Sequence, residues 1–368
     1  MMERFREAYV NRYRNLKGRQ GQGQKIIGWM CLYVPEEILA SAGILPVRVM
    51  GGAERTPLAD AHLYTNACSF VRSCLEEALT NNYAFLDGFV VANTCDHIRR
   101  LFDVWRQYIK PPFTHIISLP HKVDDPTLDF YTQQLKSFKE KVEGFTGQTI
   151  TDEALNKSIE VHNQTRKLLR QLYELRTADT PPITGAETLE IVKAAMIMPK
   201  EEFNALLEGF LKEISPPKAD TDHRIRLMVL GSELDNPDYL KLVEESGALI
   251  VADDLCVGSR YFWNPVVPEQ DPIRALARRY LTNAPCPRIR PDTNRKRHLK
   301  EMVERFRVAG AIYETIKFCD IYGVYYPMAK AYLAELGLPI LGLDREYSMA
   351  GMGQMKTRVQ AFLESLEG

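Results

Sequence analysis

Short apolar runs rich in β-branched residues alternate along the chain with stretches whose apolar residues recur every three to four positions. The runs predict strands at Ile26–Val34, Ile44–Met50, Gly88–Cys95 and His115–Leu119, then at Ile225–Gly231, Ala248–Asp254, Gly310–Phe318 and Leu338–Asp344. The periodic stretches predict helices, among them Pro35–Ala42, Phe70–Tyr83, Asp238–Ser246 and Ala329–Leu336. Such alternation is what βαβ units produce, and those units build mostly parallel sheets.

Between the two strand sets the pattern is helical. Thr151 supplies a start signal, and Leu155, Ile159, Leu168, Leu172 and Leu175 follow at near-helical spacing. Thr184 and Glu187 form a capping box for another helix. "SPPKADTDHR" at 215–224 reads as a linker. The expected fold is therefore α/β: two Rossmann-like domains with mostly parallel sheets joined by a helical insert. The boundaries are 1–145, 146–219 and 220–368.

At 368 residues the chain is long for one domain, which agrees with that division. A formal net charge of −1 points to neither nucleic acid nor membrane as a partner. The opening "MMERFREAYVNRYRNLKGRQ" lacks the apolar core of a signal peptide. No run approaches the ~18 apolar residues of a membrane span. The cytoplasm is the expected location, where thiols stay reduced. Seven cysteines there point to metal, catalysis or core filling, and an odd, irregularly spaced set argues against a disulfide framework.

In open parallel sheets, ligands gather beyond the carboxyl ends of the strands. Cys95, Cys256 and Cys319 each stand just past a predicted strand. The chain has no CxxC…CxxC or CxxC…HxxxH, so a zinc ribbon or finger is not expected. A cluster held by thiolates from distant loops is still compatible. No GxxxxGK[ST] occurs, and no GxGxxG links a strand to a helix, so nucleotide hydrolysis is not expected here. Glu36 and Glu37 follow Pro35 at a helix start. They either favour the positive end of that helix or turn a carboxylate into the cleft as a catalytic acid or base, with Tyr33 beside it. The basic segment 274–300 is either a solvated face or a grip for phosphates or an acidic partner.

Several stretches carry a family resemblance: "YVPEEILASAGILPVR", "CSFVRSC", "ANTCDHIRRLFDVW", "DDLCVGSRYFW", "RYLTNAPCPR", "IKFCD" and "LDREYSMAGMGQMKTRVQAFLE". Together and in order, the chain resembles the 2-hydroxyacyl-CoA dehydratase and ATP-dependent benzoyl-CoA reductase family. The resemblance implies a two-domain iron–sulfur subunit that pairs with a homologous second subunit or with itself. It implies a 4Fe-4S cluster held by three cysteines, which fall on Cys68, Cys95 and Cys319. It also implies a separate ATP-hydrolysing iron–sulfur activator that passes low-potential electrons on toward an acyl-CoA substrate. The benzoyl-CoA reductase and 2-hydroxyacyl-CoA dehydratase variants are both open. A related branch, the double-cubane reductases of small molecules, uses six cysteines for an 8Fe-9S cluster. A non-catalytic electron-relay partner subunit is a further reading.

Cys68 and Cys74 stand six residues apart. On a helix that separation is about 240° of rotation and about 9 Å of rise, so the two thiols face different sides. Cys74 then either serves a second cluster with Cys256 and Cys286 or packs in the core. Cys31, with no partner motif, is expected in the core. Arg72, His97, Arg99 and Arg100 flank two of the expected ligands and either tune a cluster or lie on the surface.

Overall fold

A computed structural model of the chain describes residues 1–214, 224–283, 285–348 and 351–367. The linker expected at 215–224 lies outside the described residues except for Arg224. The first half runs α1 (Met2–Val10), α2 (Arg12–Gly21), β1 (Ile26–Met30), α3 (Glu36–Ser41), β2 (Leu45–Arg48), α4 (Pro57–Asp60), α5 (Ser69–Leu79), β3 (Gly88–Ala92), α6 (Asp96–Val104) with a π-helical turn at Trp105–Ile109, β4 (Phe113–Ile117) and α7 (Asp125–Thr146). Three long helices follow: α8 (Asp152–Glu174), α9 (Gly185–Ala195) and α10 (Lys200–Glu213). The second half runs β5 (Ile225–Gly231), α11 (Pro237–Glu245), β6 (Ala248–Asp254), α12 (Ser259–Phe262), α13 (Pro272–Thr282), α14 (Thr293–Arg305), β7 (Gly310–Ile316), α15 (Asp320–Glu335), β8 (Ile340–Arg345) and α16 (Met352–Glu367).

Each half holds one four-stranded sheet, ordered β2-β1-β3-β4 and β6-β5-β7-β8, and every strand pair is parallel. The fold is thus α/β with two Rossmann-like sheets. Strands such as Ile26–Met30 and Gly88–Ala92 are buried along their whole length because helices cover both faces. The intervening helices bridge the halves: α8 packs on α3 and α13, while α9 packs on α1, α11 and β6. Thr151 caps α8, and the capping box of Thr184 and Glu187 starts α9, as the sequence indicates. Among the described residues no helix is long and apolar enough to cross a membrane.

Several strands end earlier than their apolar runs. Cys31 takes a left-handed φ of 76° and turns the chain out of the sheet, so β1 stops at Met30. Phe318 does the same after β7, with a φ of 67°. The apolar residues beyond those turns face a cavity instead of a sheet neighbour. In each sheet the strand order reverses at the first strand, beside β1 and β3 in one half and β5 and β7 in the other. Such switch points leave a crevice at the carboxyl edge.

Candidate functional site: a thiol-lined cavity

The carboxyl edges of both sheets open onto one cavity of about 120 Å³. That is room for several heavy atoms beyond a single water. Cys31 enters from the end of β1 and Cys95 from the end of β3; Cys256 follows β6 and Cys319 follows β7. Cys68 comes from the start of α5, and Cys286 from the loop between α13 and α14. Six of the chain's seven cysteines therefore line one space. Leu32, Phe70, Val71, Ile98, Ile316 and Ile321 give it apolar walls.

The thiols fall into two groups. Cys68, Cys95 and Cys319 occupy the N-cap positions of α5, α6 and α15, and the Cys95 Sγ accepts the Ile98 N–H at 3.4 Å. A helix N-terminus presents free N–H groups and a positive dipole end, which favours a thiolate. Among thiols, Cys95 and Cys319 are influenced first by Cys68. Cys31 is influenced by Cys286, and Cys256 by Cys31. Tyr33 joins this second group: its hydroxyl accepts the Cys286 backbone N–H at 2.9 Å.

Burial is the first cause of the thiol shifts. It pushes Cys68 up to about 11 and Cys256 up to about 12. It holds Cys31, Cys95 and Cys319 above the usual thiol range as well. By themselves these are neutral thiols; a bound metal supplies the charge that deprotonates them. Among the described residues no three His, Cys, Asp or Glu side chains stand close enough to share one ion. A cubane makes no such demand, since its thiolates go to different irons. Six thiols around a roomy apolar cavity fit a multinuclear iron–sulfur group better than a mononuclear site.

Cys74 stays apart. It is fully buried within α5 and does not line the cavity, so the grouping of Cys74 with Cys256 and Cys286 is not what the fold brings together. Cys31 stands in that place instead of in the core. The signal was its position: like Cys95, it ends a strand at the functional edge, and its left-handed backbone turns it there.

Glu36 and Glu37 do not line the cavity either. Helix α3 packs against α8, and both carboxylates end in buried ion pairs, Glu37 with α8 and Glu36 with the start of α10. The Lys200 Nζ donates to Glu36 at 2.7 Å. Glu37 pairs with Arg166 and accepts the Tyr280 hydroxyl at 2.8 Å. Burial raises the Glu37 carboxyl, but Arg166, His162 and Arg279 pull it the other way and hold it well below the usual carboxylate range. Of the three expected catalytic groups, only Tyr33 reaches the cavity wall.

The basic segment is largely neutralised. Arg274 pairs with Asp129, Arg278 with Glu269, Arg295 with Asp254 and Lys300 with Glu304, while Arg290 and Lys296 share Asp292. Arg99 and Arg100 are exposed and pair with Asp96. His97 is buried, and its Nδ1 accepts the Cys68 N–H at 3.4 Å.

The fold and site define a class: a doubly wound, two-sheet protein whose sheets share a cysteine-lined cavity at their carboxyl edges. Residues 31–366 match the family model described as 2-hydroxyglutaryl-CoA dehydratase, D-component, and the chain belongs to that family. It is 28% identical to one of the subunits of benzoyl-CoA reductase from Thauera aromatica, over 94% of this chain and 91% of that protein. It is 29% identical to the (R)-phenyllactyl-CoA dehydratase beta subunit of Clostridium sporogenes, over 95% and 94%. It is 25% identical to the beta subunit of (R)-2-hydroxyglutaryl-CoA dehydratase of Acidaminococcus fermentans, over 100% and 99%. These relatives are subunits of reductases and dehydratases.

Proposed function

We propose that the chain is the iron–sulfur subunit of a benzoyl-CoA reductase-like or 2-hydroxyacyl-CoA dehydratase enzyme, and that its cavity takes two four-iron clusters. The observation that carries this is the convergence of six cysteines from both halves on one cavity. Cys68, Cys95 and Cys319 would hold one cluster, and Cys31, Cys256 and Cys286 the other. When bound, the clusters supply low-potential one-electron chemistry. The chain's own residues exclude water through the apolar walls and orient the cysteine loops through helix N-caps and the Tyr33–Cys286 hydrogen bond. The names of the relatives support an acyl-CoA thioester as substrate and a second subunit as partner. The missing nucleotide motif supports a separate ATP-hydrolysing activator.

The six-thiol set also favours a second reading, a double-cubane reductase of small molecules that uses no CoA. Turnover assays for reduction of benzoyl-CoA, dehydration of a 2-hydroxyacyl-CoA and reduction of a CoA-free substrate, each with the activator present, separate the two. The cluster reading itself is tested by iron and sulfide analysis after anaerobic purification. Cys31→Ala is expected to lower iron from near eight to near four per chain, and Cys74→Ala to leave it unchanged. Full iron in Cys31→Ala contradicts the assignment.

A further inference from the structure

The tail stretch "LDREYSMAGMGQMKTR" at 343–358 holds no cysteine and does not line the cysteine cavity. Its described residues wall a second cavity instead. The stretch ends β8 and opens α16, and with Leu234, Asn236 and Tyr239 it encloses about 160 Å³. An apolar cavity of about 150 Å³ accepts a benzene ring, so this space takes a ligand with a compact apolar body. It lies past the carboxyl end of β8, on the side where open parallel sheets gather ligands.

The walls divide by chemistry. Leu234, Leu343, Met352 and Met355 are apolar. Tyr239 is 2% exposed, and its hydroxyl has no hydrogen-bond partner among the described residues. A buried hydroxyl in that state is rare in native proteins. The other one among the described residues belongs to Tyr325, which does not line this cavity. Burial raises the Tyr239 phenol, so it stays protonated and offers a donor. The first turn of α16 lines the same space, and a helix start of this kind favours an anion. Arg358 follows it; its Nη2 donates to the Gly342 carbonyl at 2.6 Å, and it has no carboxylate partner among the described residues. A hydroxyl donor, a helix N-terminus and a guanidinium together suit a carboxylate.

The cavity also holds the opposite sign. Asp344 lines it and has no cationic partner among the described residues, so it can take an ammonium group. The other two charged lining residues are engaged: Arg345 pairs with Glu314, and Glu346 stands 3.7 Å from the Lys317 Nζ.

We infer that this cavity binds a small α-amino acid with an apolar side chain. The ligand's carboxylate meets the Tyr239 hydroxyl, the start of α16 and Arg358. Its ammonium meets Asp344, and its side chain packs on the leucines and methionines. The site stands apart from the cluster reading and does not depend on it. Arg345 links the two spaces, since its Nη2 donates to the carbonyl of Glu233, a residue that walls the cysteine cavity.

The test is isothermal titration calorimetry on the anaerobically purified full chain. The probes are L-leucine, L-valine and L-phenylalanine, with 4-methylpentanoate lacking the ammonium and 3-methylbutylamine lacking the carboxylate. At least one of the three amino acids is expected to bind at one site per chain. For L-leucine, each truncated analogue should bind weaker by about tenfold or more. Tyr239→Phe keeps the volume and is expected to weaken amino-acid binding about tenfold. Its urea midpoint should equal or exceed that of wild type, because the hydroxyl removed has no partner in the fold. Asp344→Asn should weaken amino-acid binding and leave 4-methylpentanoate unaffected. No binding of any of the three amino acids at millimolar concentration overturns the inference. So does equal affinity for L-leucine and both analogues, or full affinity in Tyr239→Phe.

Discussion

Replacing Arg166 with Met breaks a buried ion pair that joins three parts of the chain. Glu37 on α3 is 0% exposed and is held by Arg166 on α8 and by the Tyr280 hydroxyl on α13. The Met side chain keeps most of the volume but removes the charge. Glu37 is then left ionised, buried and supported by one neutral hydroxyl. Breaking a buried pair from one side costs about 3–5 kcal/mol, chiefly because the remaining charge is uncompensated. Arg166→Met is therefore expected to destabilise the protein by about that much. Adding Glu37→Gln removes the stranded charge and should recover more than half of the loss. The sign of the pH effect follows from the depressed Glu37 carboxyl. Its stabilising contribution is present above the ordinary value of 4.5 and is lost as pH falls below it. Urea unfolding of wild type, both single variants and the double variant at pH 7 measures these terms as a double-mutant cycle. A loss under about 1 kcal/mol, or single losses that simply add, would refute the buried-pair account of Glu37.

His298 is 4% exposed, bonds Ser259 Oγ at 3.1 Å and is pushed down to about 4, first by burial. Its stabilising contribution is therefore complete above the ordinary 6.5 and lost as pH falls from there toward 4, worth up to about 3 kcal/mol. Melting temperature should drop across that range in wild type and drop less in His298→Gln; parallel curves would assign the acid sensitivity elsewhere. Gly231 ends β5 at a φ of 141°, and a Cβ there would lie 1.9 Å from the Glu314 carbonyl oxygen. Gly231→Ala should cost at least about 3 kcal/mol through overpacking and backbone strain, read as lost soluble protein or a lowered urea midpoint. A near-wild-type midpoint would contradict that packing.

The two sheets were legible because βαβ patterning is local. Ile225–Gly231 and Ala248–Asp254 carry the bounds that their apolar runs suggest. The run at Ile26–Val34 overshoots where apolar residues leave the sheet to wall the cavity, as Leu32 and Tyr33 do after Cys31. Composition cannot separate a residue buried against a strand from one buried against a cavity. The same limit explains the exchange of Cys31 and Cys74. Cys74 sits in a motif and packs in α5, whereas Cys31 sits in no motif and is brought to the site by one left-handed turn. The ends of Glu36 and Glu37 were not legible because their partners, Lys200 and Arg166, come from helices more than a hundred residues away.

The central claim is that the six cavity cysteines form one metal-binding device with two halves. Anaerobic iron and acid-labile sulfide analysis of the intact chain, with EPR on the same sample, tests it most directly. Near eight irons per chain, with a reduced-state spectrum of two interacting clusters, is the predicted result. A colourless protein without iron that retains full activity with its partners would contradict it.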